Sequence, residues 1–176
     1  MVIETKRLIL RKPELSDVDD YLAFVNSEFV QRYNAMANVT QERAEQEFGN
    51  AQDDFSIVAI VLKATNKVIG IVNVQEDSLR YKVASKELSY FLREEESRKG
   101  HMKEALGALI RYFFEQDALD CVSARCFVPN VASQRLLESL GFVKEGVLRK
   151  CVQGYQGVVF DDCLYSLMRE DWTAIQ

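Results

Sequence analysis

The sequence predicts one α/β domain on a mixed sheet, largely antiparallel with a parallel central pair and a crossover helix. Three observations carry this. β-rich runs in the first half are joined by short turns, the second half alternates strand and helix, and one long amphipathic helix stands where the pattern changes. At 176 residues the chain has a common single-domain size, and its two prolines, Pro13 and Pro129, mark no linker, so residues 1–176 are expected to form one unit.

Leu8 and Leu10 alternate within Arg7 to Arg11 and predict a first strand, closed by Pro13, which lacks a backbone donor. A helix follows, with Ser16 as N-cap and Val18, Tyr21, Leu22 and Val25 at helical spacing. Thr40 to Asp53 is polar with Ala44 and Phe48 one turn apart, the pattern of an exposed helix with a thin apolar stripe. Phe55 to Leu62 and Lys67 to Val74 flank Thr65-Asn66 as a hairpin, and Ser85 to Leu92 is a further strand. From Met102, the positions Ala105, Leu106, Leu109, Ile110, Phe113 and Phe114 mark the long helix. Cys121 to Val128 then reads as a strand, Asn130 to Leu140 as a helix stopped by Gly141, and Phe142 to Leu148 and Val158 to Met168 as strands, the last ending the domain. Glu28 to Thr40 carries no motif.

Composition narrows the function classes. Apolar residues at 48% and charged residues at 28% exclude a disordered chain, and a net charge of -5 disfavours nucleic acid as a partner. No run approaches the roughly 18 apolar residues of a membrane span, and Met1 to Lys12 lacks the apolar core of a signal peptide, so a cytoplasmic protein without membrane contact is expected. Cys121, Cys126, Cys151 and Cys163 lack zinc-knuckle spacing, and Cys121 and Cys126 should face opposite sides of one strand, so reduced thiols and no metal are expected. Apolar residues along Val158 to Met168 suggest pairing across a homodimer.

Two stretches carry candidate chemistry. Arg93 to Lys99 leads through Gly100 into the long helix, whose N-terminus presents unpaired N–H groups and a partial positive charge, with Arg98, Lys99 and His101 adding side-chain donors. This outlines an anion site, although basic residues near a helix start are common and Glu94 to Glu96 reads as a solvated face. The second stretch holds Asn130, Ser133, Leu137-Glu138, Leu140-Gly141-Phe142 and Glu145-Gly146. Taken singly, Asn130 reads as an N-cap, Gly141 as a C-cap and Phe142 as core.

Taken together, that second stretch resembles the C-terminal motif of the GNAT acetyltransferases. The strand Glu87 to Leu92, followed by Ser97-Arg98-Lys99-Gly100-His101-Met102 and the helix, resembles their acetyl-CoA motif. The opening Glu4 to Arg11 and the ending Asp161 to Trp172 resemble the branch that acetylates ribosomal-protein N-termini, so the likeness spans nearly the whole chain. Two positions depart from the pattern: Ser97 stands where Gln or Arg is usual, and Met102 where Gly or Ala is usual. A bulky Met102 either narrows the pyrophosphate site or turns its side chain away.

The resemblance implies transfer of an acetyl group from acetyl-CoA to a primary amine by direct attack in a ternary complex, the amine being that of a protein or peptide N-terminus. The alternatives are a small acceptor such as a polyamine or aminoglycoside, or a non-catalytic acyl-CoA-binding domain. Acetyl-CoA would lie between the Ser85 to Leu92 and Cys121 to Val128 strands, held by Phe91, Leu92, Arg93, Arg98, Lys99, Gly100, His101, Met102, Asn130 and Ser133. A backbone N–H at Phe91 or Leu92 would bind the oxyanion, and Ser133, with Tyr90 as a second candidate, would protonate the departing thiolate. No Glu follows Gly146 where relatives place a base, so Asp161, Asp162 or a water is the candidate base, and His101 suits a phosphate-side role.

Overall fold

The computed structural model describes residues 2–51, 56–155 and 157–175. Within these the expected ends at Asp53 and Phe55 lie outside the described residues, while the rest of the expected framework is present. The strands are β1 (Val2–Glu4), β2 (Leu8–Arg11), β3 (Ile57–Leu62), β4 (Lys67–Glu76), β5 (Ser85–Leu92), β6 (Cys121–Phe127), β7 (Val143–Gln153) and β8 (Val159–Met168). The α-helices are α1 (Val18–Val25), α2 (Glu28–Gln31), α3 (Gln41–Asn50), α4 (His101–Glu115), α5 (Val131–Ser139) and α6 (Arg169–Ile175). One sheet runs in the order β1-β2-β3-β4-β5-β6-β8-β7, and only β5 and β6 are parallel, joined by α4 as the crossover.

Local chemistry explains most boundaries and corrects several expectations. Ser16 is not the cap of the first helix. Glu14 to Asp17 forms a reciprocal capping box around a single 3-10 turn, and Asp17 is drawn into an ion pair with Arg11 at 2.7 Å. Thr40 does cap α3, accepting from the Arg43 N–H at 3.3 Å. β1, α2 and α6 were not expected, because three or four residues, or a terminal turn, carry too little periodicity to register. β7 runs on to Gln153, past the expected Leu148, with a register shift between Leu148 and Val152 that hides the alternation. The Val159–Met168 strand is paired on both sides, by β6 and β7, so β7 rather than β8 is the free edge at that end of the sheet. All four cysteines are free; three are buried and Cys151 is exposed.

Strand parity sorts the core into two layers. On one face Leu88, Val122, Ala124, Cys126, Cys163, Tyr165 and Leu167 pack beneath Ala105, Leu106, Leu109, Ile110 and Phe113 of α4 and Leu137 of α5. On the other, Ala59, Val61, Val68 and Ile71 lie under Tyr21, Phe24 and Val25 of α1 and Ala44 and Phe48 of α3. That second cover stops short of β6 and β8. Over those strands and the start of β5 the same face is polar, with Glu87, Ser123, Asp162 and Ser166 all buried.

The central strands diverge. β5 pairs with β4 over its whole length, Lys86 to Leu92, and β6 pairs with β8 from Cys121 to Phe127, but β5 and β6 pair with each other only from Ser85–Cys121 to Leu88–Ala124. Gly70 holds the far end of β5 against β4: a Cβ there would lie 2.6 Å from the Phe91 carbonyl oxygen. Gly70→Ala is therefore expected to displace the Phe91–Leu92 segment and lower stability by about 1–3 kcal/mol, read from the midpoint of urea unfolding.

Candidate active site

The gap between β5 and β6 is the centre of the site. Arg93 N–H bonds the Ile69 carbonyl at 2.8 Å, and the antiparallel β4–β5 register is unbroken, so the N–H groups alternate. Phe91 N–H turns toward β4, whereas Tyr90 and Leu92 N–H turn into the gap. Of the two expected oxyanion donors, Leu92 is thus the one directed to the opening, and Phe91 is spent in the ladder. Such unpaired backbone donors need a partner, and a ligand lying between the strands supplies one.

Tyr90 and Ser133 meet across the gap. Tyr90 extends from β5, Ser133 sits in the first turn of α5, and their oxygens are 2.6 Å apart. Asn130 caps α5 by accepting from the Ser133 N–H at 3.2 Å, so the capping role and the placement of Ser133 are one interaction. Burial pushes the Tyr90 hydroxyl above its ordinary range, outweighing the opposite effect of Ser133. The Cys126 thiol, bonded to Ser133, is likewise pushed up by burial to about 12. The Tyr90 hydroxyl and the Cys126 thiol therefore stay protonated at neutral pH beside Ser133.

The helix entrance is built by two left-handed residues, Arg98 (φ 60) and Gly100 (φ 78). His101, Met102 and Lys103 then begin α4 with N–H groups that have no helical partner. The Met102 side chain is buried in the main core, so it turns away from this terminus. His101 is also buried, its Nδ1 3.2 Å from Glu96, which places its ring beneath the loop rather than over the helix mouth. Ser97 donates to the Glu94 carbonyl at 2.6 Å, and Lys99 pairs with Glu96 at 3.1 Å. Arg98 is exposed at the mouth. Arg93 is directed elsewhere: its guanidinium donates to the Asp20 carbonyl at 3.3 Å and lies over the Phe24 ring on the α1 side, away from the loop.

Sequence reasoning did not see what ties this loop down. Glu104 accepts from the Thr5 hydroxyl at 2.6 Å, from Arg7 N–H at 2.8 Å and from Arg7 Nε at 2.6 Å, while Arg7 Nη1 donates to the Lys99 carbonyl at 2.8 Å. The opening Thr5-Lys6-Arg7 is thereby a strap across the helix entrance.

Asp161 is occupied by the Lys150 N–H at 2.7 Å, inside the β7–β8 hairpin. Asp162 faces the other way, onto the polar sheet face, where a cavity of about 450 Å³ is lined by Arg80, Glu87, Ser123, Arg125 and Glu145 among others. Arg125 Nε lies 3.3 Å from Glu87 and 3.7 Å from Asp162. Burial holds the Asp162 carboxyl above the usual carboxylate range, against the pull of Arg125 and with the help of Glu87. The sequence signal for this cluster was present in Glu87 and Arg125, charges set inside otherwise apolar strands.

A divergent parallel pair, with a helix N-terminus and the Tyr90–Ser133 pair beside it, makes a cleft suited to an acyl-CoA thioester, and a polar cavity lies on the opposite sheet face. The Acetyltransferase (GNAT) domain family matches residues 7–143, and the chain belongs to that family. It is 30% identical to the N-acetyltransferase YoaA of Bacillus subtilis over 96% of this chain and 97% of the relative. Among solved structures, the ribosomal-protein-S5-alanine acetyltransferase of Vibrio fischeri superposes with a TM-score of 0.85 at 24% identity, covering 98% of each chain. The microcin C7 self-immunity acetyltransferase MccE, solved with acetyl-CoA and AMP, superposes at 0.80 with 20% identity over 93% of each. The fold is therefore that of the GNAT acetyltransferases, and no described helix is long and apolar enough to cross a membrane.

The Glu104 strap has a measurable pH signature. Burial pushes the Glu104 carboxyl up, but the hydrogen bonds from Thr5 and Arg7 outweigh it and hold the group below the usual range. A carboxyl held down in the folded state adds stability above its unfolded pKa and loses it as pH falls through the folded one. Arg7 is 40% exposed, so solvent screens part of the pair. Glu104→Gln is expected to cost about 1–2 kcal/mol at neutral pH in denaturant unfolding. The deficit should shrink below about pH 4, and binding of CoA should weaken because Lys99 is untied.

Proposed function

We propose that this acetyltransferase acts on the amino-terminal amine of a protein or peptide, by direct attack in a ternary complex. The carrying observation is the Tyr90–Ser133 pair at the parting of β5 and β6, set against a cavity rimmed by exposed Leu79 and Glu145 on the other face. An open cavity of mixed charge suits a peptide end, whereas a small polycation would favour a closed acidic pocket.

Acetyl-CoA, when bound, supplies an acyl thioester. The residues fitted to hold it are His101, Met102 and Lys103 through backbone N–H, Arg98 and Lys99 through side chains, and Asn130 and Ser133 at the start of α5. Leu92 N–H, aimed into the gap, donates to the oxygen on which negative charge develops. Ser133 gives its proton to the departing sulfur and is resupplied by Tyr90, whose buried hydroxyl remains protonated through neutral pH.

Thiol release from acetyl-CoA, measured over amino-terminal peptides and polyamines, tests the reading. Peptide-dependent release is expected, with Ser133→Ala and Tyr90→Phe each lowering kcat by about 10²-fold, while in Tyr90→Phe CoA affinity stays within twofold of the parent, as ~0.4 kcal/mol or less would allow. The double variant should fall little below the singles, because the two hydroxyls act as one unit. Polyamine turnover that exceeds peptide turnover would overturn the acceptor assignment.

A further inference from the structure

The polar face opposite α4 holds a group of charges that the transfer chemistry above leaves unused. Glu87 on β5, Arg125 on β6 and Asp162 on β8 run diagonally across the sheet, stepping from just before the point where β5–β6 pairing ends at Leu88–Ala124 to just beyond it. Arg125 is the first β6 residue beyond that point. Ion pairs of this kind are costly to bury unless every lone pair and proton finds a partner, and here several do not. Asp162, with a side chain only 4% exposed, leaves Oδ1 without a hydrogen bond, and Arg125 Nε is also unpartnered. Glu87, by contrast, accepts from Gln75 Nε2 at 2.9 Å. Arg80, the second guanidinium of the cavity, is committed to Asp77 and Glu145, both at 2.8 Å. The cavity therefore presents one guanidinium held only loosely at its Nε edge, that of Arg125, and beside it, just past the cavity lining on the same sheet face, Asp162 keeps one buried carboxylate oxygen without a hydrogen bond.

Those two groups lie on neighbouring strands, with Arg125 Nε 3.7 Å from the other carboxylate oxygen, Asp162 Oδ2. Their chemistry matches an ammonium adjoining a carbonyl. Building on the N-terminal acetyltransfer reading, we infer that Asp162 Oδ1 holds the acceptor's α-ammonium and Arg125 donates to the first peptide carbonyl, so that the site selects an α-amine beside a carbonyl over a side-chain amine. Asp162 takes one ammonium proton, which frees the nitrogen lone pair. The C–N bond then forms at the acetyl carbon, the C–S bond breaks, the sulfur receives the Ser133 proton, and the second proton shed by the nitrogen returns through water to the Ser133–Tyr90 pair. The raised affinity of Asp162 for a proton suits it to that exchange. An amine with no neighbouring carbonyl leaves Arg125 unsatisfied, and a site built around such a bond rejects the analogue that lacks it.

The test compares four acceptors with wild type, Asp162→Asn, Arg125→Gln and Arg125→Lys. They are a tetrapeptide with free amino-terminal alanine, the same peptide with its first peptide bond reduced, an N-blocked peptide bearing one lysine, and spermidine. Calorimetry of the free tetrapeptide on the CoA complex reports binding apart from turnover. Wild type should favour the free tetrapeptide over the other three by about 10²-fold or more in kcat/KM. Arg125→Gln should raise KM for that peptide by about tenfold, weaken its calorimetric binding equally and leave the reduced-bond analogue unchanged, with Arg125→Lys in between. Asp162→Asn should lower kcat on every amine.

Equal use of the free and reduced-bond peptides by wild type overturns the assignment even if the Arg125 variants fail to fold. An Arg125→Gln effect that is uniform across acceptors, or an Asp162→Asn enzyme with parental kcat, overturns it too. Absence of turnover on every amine with CoA bound defeats the transferase chemistry itself, a separate outcome.

Discussion

The organising constraint of this molecule is that β5 and β6 cannot stay paired. Each is committed along its length to an outer neighbour, β5 to β4 and β6 to β8, and the right-handed twist of the two ladders carries their ends apart beyond Leu88 and Ala124. Backbone groups released by that parting are obligatory hydrogen-bonding groups in the middle of a sheet. The fold thus carries an unmet demand at its centre, and a ligand slotted as a pseudo-strand meets it. Every other part of the site is placed relative to that opening.

Crossing from β5 to β6 requires α4, and a parallel connection of this kind puts the helix N-terminus at the open end of the first strand. Positive helix end and unpaired strand donors therefore fall together for topological reasons. The strap from Arg7 and Thr5 to Glu104 and Lys99 then makes the entrance rigid by linking the first strands to the crossover, residues almost a hundred positions apart. A site that binds through backbone N–H groups depends on such ties, because its donors have no side-chain freedom to adapt.

The two faces of the sheet divide the labour. The α4 face is packed with apolar side chains and brings Tyr90 and Ser133 together where a thiolate would leave. The opposite face is apolar only where α1 and α3 cover it; beyond them, beside Glu87, the half-buried Arg125 and the buried Asp162 remain incompletely paired. A polar group left short of partners in the interior costs free energy, a cost that the proposed acceptor's ammonium and carbonyl would offset on binding.

Much of this was legible in the sequence, for definite reasons. The 3.6-residue stripe of α4, the turn at Thr65-Asn66, and the cap and stop at Asn130 and Gly141 are local signals, set by nearest-neighbour geometry, and they suffice for the element order and the α4 crossover. Ser133, Asn130 and the Arg98 to Met102 entrance were singled out because local capping and helix-terminus chemistry mark them. The short elements β1, α2 and α6 were missed because they hold too few residues to show a period. The turning of Met102 and His101 into the interior, the diversion of Arg93 to α1, and the choice between Asp161 and Asp162 were decided only by tertiary structure. Each depends on which face of a strand or helix meets which neighbour, and that is a relation between distant segments that no local pattern encodes.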